Sequence, residues 1–376
     1  MSDKVKVAII RQRYNAAGGA ERFVQNALMQ LKDKSQMSVD ILARNWKEIE
    51  GVNFKKINPP YFGSWWRDLG FSKAVRSYLK DNHYEIVQSH ERIPGCQIYR
   101  AGDGLHARWM NLRQRAGFPA SRLNLHHSYL LKAEKEMFNS EKLQYIICNS
   151  KMVMNEIAQW FPVAQDKCIL IYNGVDLERF SVCNTDEVRK RVRSKLGIKE
   201  DQPTLVFLGS GFQRKGLRLA IEAISAASKD ICLIVIGTDK EQQQYINYAK
   251  SILGEKRIRF VGKTRPDEYL ASADGFLLPT LYDPFPNSAM EAFASGLPVL
   301  TTLQCGAAEK IQNGENGFVF DYFNKKDVIQ AIRHWIDAAS NSNWDMMRKR
   351  ARQTVESMSI ERTTQEILEL YNKILK

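Results

Sequence analysis

Phe276 to Thr302 reads FLLPTLYDPFPNSAMEAFASGLPVLTT. The order of apolar and chain-breaking residues in this stretch decides the fold. Gly275 to Leu278 is a short apolar run closed by Pro279, the pattern of a strand buried on both faces of a parallel sheet. Thr280 to Asn287 reads as a polar, proline-kinked loop. Ser288 to Ser295 has helical spacing, Gly296 stops that helix, and Pro298 to Thr302 opens the next strand. The segment is therefore strand, loop, helix, strand. In such sheets a ligand sits where the strand ends meet the helix starts. That junction holds Asp283, Asn287, Ser288 and Glu291.

The chemistry of the junction suits a ligand with phosphate between two polyols. Unpaired amides at a helix start favour an anion. A carboxylate only accepts hydrogen bonds, so Asp283 and Glu291 can each take hydroxyl donors from a sugar or a ribose. A capped helix with surface acids has the same pattern, so the pair needs support from other stretches.

Working outward, the second half repeats a β/α plan. Thr204 to Leu208 is a strand, and Gly209-Ser210-Gly211-Phe212-Gln213-Arg214-Lys215-Gly216 leads into a helix near Leu217. Strands follow near 231–237, 258–261 and 317–320, with helices between. The first half opens in the same way. Val5 to Ile10 is a strand, followed by a turn with Gly18-Gly19 and a helical pattern from Ala20 to Leu31. Gly102-Asp103-Gly104 follows another strand, which places Asp103 where a group can face a ligand. Each half alternates β and α, and the two first glycine turns correspond. The chain is expected to be α/β, with two Rossmann-like domains facing a central cleft. The expected domains are 1–176 and 177–376, with the last helix a candidate to pack back on the first.

The 376 residues suffice for two such domains. No apolar run reaches the roughly 18 residues of a membrane span, and MSDKVKVAII enters a strand without a signal peptide's apolar core. The expectation is a cytoplasmic protein. Six scattered cysteines read as free thiols, and neither they nor His126-His127 have zinc-ligand spacing. The net charge of +13 is uneven, with 27 Lys+Arg against 18 Asp+Glu in residues 1–180. A basic first half suggests an anionic partner. Two stretches mix cations with aromatics. One is 59–80, an amphipathic helix that either touches lipid headgroups or packs on its own domain. The other is 100–135, taken as the membrane or acceptor face. Neither carries a nucleic-acid motif.

GGAE at 18–21, GSGFQRKG at 209–216, Asp283-x7-Glu291 and Asn173-Gly174-Val175-Asp176 occur in one order. Together they resemble the GT-B-fold retaining glycosyltransferases of family 4, and within it the bacterial lipopolysaccharide core enzymes of the glucosyltransferase I type. The family pattern usually starts its acid pair with Glu; Asp283 is one methylene shorter. The resemblance implies a hexose moved from a UDP-sugar to a lipopolysaccharide core or other anionic, lipid-linked acceptor, at the inner face of the cytoplasmic membrane. It implies that Arg214 and Lys215 clamp the diphosphate, Asp283 holds sugar hydroxyls, and Glu291 holds the ribose. Phe285, Pro286, Asn287 and Ser288 line the sugar and phosphate. Gly18, Gly19 and Gly209 approach the donor, Asp103 stands on the acceptor side, and the base lies near 262–265. Arg214 and Lys215 can take up the leaving group's charge, and the chain lacks the Asp-x-Asp of metal-dependent relatives, so no metal or other cofactor is expected. Two other readings stand: a sugar-nucleotide epimerase of the same fold, and a non-catalytic protein that binds anionic surfaces.

Overall fold

A computed structural model describes residues 4–13, 37–46, 53–118, 124–182, 185–341 and 344–376. The chain divides into two compact units, 1–174 with 360–376, and 175–359. It crosses from the first to the second after Gly174 and returns after Ser359.

The first unit is built on seven parallel strands. They are β1 (Val5–Ile10), β2 (Met37–Ala43), β3 (Asn53–Lys56), β4 (Ile86–Ser89), β5 (Ile98–Arg100), β6 (Tyr145–Cys148) and β7 (Cys168–Leu170). Their order is β3-β2-β1-β4-β5-β6-β7. Strand order reverses between β1 and β4, which pair in parallel from Val7↔Ile86 to Ile10↔Ser89. Chain segments leaving the carboxyl ends of those two strands diverge there, and this is the site a doubly wound sheet offers a ligand. The apolar runs seen in the sequence are buried on both faces: Val7 and Ile9 lie in one core cluster, Ala8 and Ile10 in another.

The second unit repeats the arrangement with six strands. They are β8 (Thr204–Leu208), β9 (Cys232–Ile236), β10 (Ile258–Gly262), β11 (Gly275–Leu278), β12 (Val299–Thr302) and β13 (Gly317–Phe320). The order is β10-β9-β8-β11-β12-β13, so the reversal falls between β8 and β11. Among the described residues the expected strands and the helices that alternate with them are present, and the fold is two Rossmann-like α/β units; the helix expected at 20–31 lies outside those residues. Sequence reading missed β3, the helix His106–Arg115 and the helix Asp186–Leu196. The last two are rich in Arg and Lys, so their apolar stripes are thin. They are held instead by polar contacts, such as Arg193 to the carbonyls of Ser272 and Gln202.

One feature differs from expectation. The polar loop after β11 is buried: Thr280, Leu281, Tyr282, Asp283 and Phe285 have little exposure. A buried loop must pair its backbone groups, and this one does. Thr302 Oγ1 donates to Thr280 O at 2.7 Å, and Asp283 N and O bond Gln304 O and Gly306 N. The last helix, the candidate to pack back on the first domain, belongs to the first unit, and the second unit ends at Ser359. Helix Ile360–Leu375 buries Ile367, Leu370 and Tyr371 against Val7, Ile9 and Ile147 of the first unit. Five cysteines among the described residues are free thiols; Cys183 lies outside them.

Tyr371 is fully buried and its hydroxyl donates to Gln88 Oε1 at 2.9 Å. Tyr371→Ala should cost about 3–5 kcal/mol, as for other buried aromatics cut to alanine. Tyr371→Phe should cost about 1–3 kcal/mol, since it only unpairs a buried acceptor. Denaturant unfolding checks both; equal costs would contradict this packing.

Candidate active site

The site in the second unit follows from what leaves β8 and β11. After β8 the chain needs a tight glycine turn. Gly211 and Gly216 have φ of +74° and +78°. At Gly216 a Cβ would lie 1.8 Å from Pro279 O, so only glycine lets this turn touch the end of β11. Phe212 anchors the turn from below, edge-on to Phe207 and Tyr245. Its amide is held by Asp239 Oδ2 at 2.8 Å. Asp239 was not singled out in the sequence, although it follows β9 at the same edge of the sheet.

The two loops are then stitched together. Arg214 O accepts from Leu281 N at 2.9 Å and from Thr280 Oγ1 at 3.1 Å. Arg214 Nη1 donates to Tyr282 O at 2.9 Å and to Asp283 Oδ2 at 3.2 Å. Lys215 Nζ donates to the same oxygen at 2.8 Å. Lys215 and Asp283 are both buried, whereas the Arg214 side chain is 38% exposed. Gly209 packs on the lysine stem: a Cβ there would come within 2.9 Å of Lys215 Cε. Burial opposes ionisation of Asp283, but Lys215 and Arg214 outweigh it and hold the carboxyl below its usual range. Burial and the nearby Asp283 charge push the Cys305 thiol up to about 12, so it stays neutral.

The sequence reading gave the two cations and Asp283 separate tasks. The structure joins them in one ion-paired cluster, 68 residues apart along the chain. Phe285 and Pro286 lead from that cluster into helix Asn287–Ala294, which starts at Pro286 without a side-chain cap. Ser288 Oγ is buried and has no hydrogen-bond partner among the described residues. Glu291 is half-buried one turn further on. It contributes to the field that favours the charged form of Arg179, whose own main partner is Asp267. Arg265 also bonds Asp267, at 2.9 Å, which fixes the loop after β10. Neither Arg179 nor Asp267 was anticipated; their separation of 88 residues hides the pair.

Asp103 belongs to the first unit. Its carboxylate is exposed and lies 3.6 Å from Arg11 Nη1, which also faces Glu91 at 3.7 Å. Burial raises the Glu91 carboxyl despite Arg11. Arg11 and Glu91 follow β1 and β4, at that unit's own reversal point. Gly18 and Gly19, and the helix expected after them, lie outside the described residues.

Two doubly wound units, one carrying paired cations on a glycine turn at its reversal point, define a GT-B glycosyltransferase. Residues 17–179 match the family model described as Glycosyltransferase Family 4, and residues 188–354 match Glycosyl transferases group 1. The lipopolysaccharide glucosyltransferase WaaG of Escherichia coli K12 is 26% identical over 273 residues, which is 71% of this chain and 72% of WaaG. A crystal structure of WaaG, a glycosyltransferase involved in lipopolysaccharide biosynthesis, superposes with a TM-score of 0.83 at 20% identity, covering 97% of this chain and 99% of that one. Anabaena HepE in complex with UDP-glucose gives 0.75 at 17% identity, covering 98% and 99%. The chain belongs to glycosyltransferase family 4 and is a transferase.

Asp283→Asn keeps the shape but leaves Lys215 buried without its counter-charge. It should cost about 3–5 kcal/mol in denaturant unfolding, as for one partner removed from a buried pair. The folded carboxyl titrates below its unfolded value. Its stabilisation is therefore complete above about pH 4 and is lost as pH falls through the folded value. Wild type should lose stability more steeply than Asp283→Asn in that acid window. Parallel acid profiles would contradict the pairing.

Proposed function

We propose that this chain moves a hexose from a UDP-sugar to a lipopolysaccharide core or another lipid-linked saccharide, with retention of configuration. The observation that carries the reading is the Lys215–Asp283–Arg214 cluster at the β8/β11 reversal, where a doubly wound sheet receives its ligand. Support for the donor class comes from HepE, a similar fold in complex with UDP-glucose. Support for the acceptor class comes from WaaG, a lipopolysaccharide glucosyltransferase.

In this reading the bond from sugar C1 to the β-phosphate oxygen breaks, and a bond from C1 to the acceptor oxygen forms on the same face. The acceptor's proton passes to the departing phosphate. Lys215 and Arg214 take up the charge that grows on the diphosphate, and the amides at the start of helix Asn287–Ala294 add to them. Preorganisation is the point: Asp283 Oδ2 and Tyr282 O already fix both cations. Asp283 keeps Oδ1 as an acceptor for a sugar hydroxyl. Ser288 Oγ, partnerless among the described residues, offers a hydroxyl to the sugar or phosphate, and Glu291 takes the ribose. Asp103, beside Arg11, serves the acceptor side. In this reading the two cations take the role a metal would have, and the reaction runs without one. No helix of the described residues is long and apolar enough to cross a membrane. The proposed location is the cytoplasmic side of the membrane that carries the acceptor, in peripheral contact with it.

A thermal-shift screen against UDP-glucose, UDP-galactose and UDP-N-acetylglucosamine should raise the midpoint with at least one of them, because a ligand of the folded state stabilises it. Lys215→Ala should lower turnover of that donor by about 10²–10³-fold, roughly 3–4 kcal/mol, while EDTA leaves wild type unchanged. Full turnover in Lys215→Ala would overturn the assignment. A change in the donor sugar's configuration without acceptor would point to an epimerase instead.

A further inference from the structure

Four aromatic side chains stand in solvent within six residues of the first unit. Tyr61 is 43% exposed, Phe62 86%, Trp65 39% and Trp66 52%. Apolar exposure this dense is costly unless something covers it. The segment is also held in place. Arg44, which follows β2, is buried and has no carboxylate partner among the described residues. Its guanidinium donates to Asn58 Oδ1 at 3.0 Å, Pro59 O at 2.8 Å and Arg67 O at 2.5 Å. It stacks 4.8 Å from the Tyr61 ring centre and 5.4 Å from that of Phe71. Arg13 Nη2 donates to the Tyr61 hydroxyl at 2.7 Å. A buried cation is thus committed to fixing one surface segment, and that segment presents the aromatics.

The helix Gly63–Asp81 continues the same face. Phe71, Ser72 and Val75 point inward. Outward come Phe62, Trp66, Lys73, Arg76 and Lys80, all exposed, with half-buried Leu69 between them. The exposed stripe therefore runs from aromatic to cationic. Asp68 is turned inward against Arg67, Gln12 and His126, so it does not offset those charges. Lys55 and Lys56, exposed on edge strand β3, precede the segment. In 100–135 the exposed cations Arg115, Lys132 and Lys135 have, among the described residues, no comparable run of exposed aromatics beside them, and others are used within the fold. Arg100 is buried on Asn173, Arg108 bonds Glu156, and Arg113 stacks on Trp109 and Phe118.

We infer that Tyr61, Phe62 and the outer face of helix Gly63–Asp81, with Trp65 and Trp66 in its first turn, dock on an anionic phospholipid surface. Tryptophan and phenylalanine seat at headgroup depth, and lysine and arginine meet the lipid phosphates. This deepens the lipid-linked-acceptor reading by naming the surface that brings the enzyme to its acceptor.

The test uses the full chain with phosphatidylcholine vesicles, alone or with about a third phosphatidylglycerol; wild type should sediment with the mixed vesicles about tenfold more strongly. Brominated lipid should quench tryptophan emission. The double variant Phe62→Ala/Trp66→Ala should weaken vesicle binding at least about tenfold, with the unfolding midpoint and UDP binding unchanged. Vesicle binding by the variant equal to wild type, or no preference for phosphatidylglycerol, would overturn the inference. So would a wild-type dimer that the double variant dissolves, since a second copy would then cover the patch. Loss of UDP binding by wild type would fail the donor reading alone and leave the vesicle result standing.

Discussion

One carboxylate oxygen, Oδ2 of Asp283, holds two cations that the chain delivers from 68 and 69 residues away. The contact closes only if the turn after β8 can touch the end of β11, and that requires Gly216 against Pro279 O. It also requires the loop after β11 to be buried and held by hydrogen bonds, because a mobile loop could not fix a charge. Gln304, Gly306 and Thr302 supply those bonds from the chain around β12. The apolar strands, the glycine turn and the buried loop together hold Lys215 where water screens it little. A cation there acts more strongly on a growing negative charge than one in solvent.

The backbone plan was legible because it rests on local signals. Runs such as VKVAII and FLLP mark strands buried on both faces, and the glycine turn after β8 marks the first β/α step of the second half. What was hidden depends on distance or partner choice. An amphipathic last helix shows a stripe but not the sheet that will receive it; Tyr371 found Gln88 at the far end of the chain. Thr280–Pro286 looks polar by composition, yet its hydroxyl and carboxylate are satisfied inside the protein. Of the candidate site, Arg214, Lys215, Asp283 and Gly209 meet as one cluster in the second unit, Phe285 to Glu291 follow it directly, and Asp103 stands in the first. Asp239, Arg179 and Asp267 escaped notice because a lone Asp or Arg carries no motif, only a place in space.

The first unit uses the same sheet order for different chemistry. Its reversal point carries Arg11 between Glu91 and Asp103, a mixed-charge edge suited to hydroxyls rather than to a lone anion. Its excess positive charge is sorted by burial. Arg44 and Arg100 are buried and work inside the fold, whereas Lys73, Arg76 and Lys80 face outward behind exposed aromatics. Net charge alone could not distinguish these two uses.

The most direct measurement is a crystal structure with UDP bound. The account predicts Lys215 Nζ and the Arg214 guanidinium within about 3 Å of diphosphate oxygens, the span of charge-assisted hydrogen bonds, and Asp283 still in contact with at least one of them. Diphosphate bound away from the Gly209–Gly216 turn, with Lys215 bonded to Asp283 alone, would contradict it.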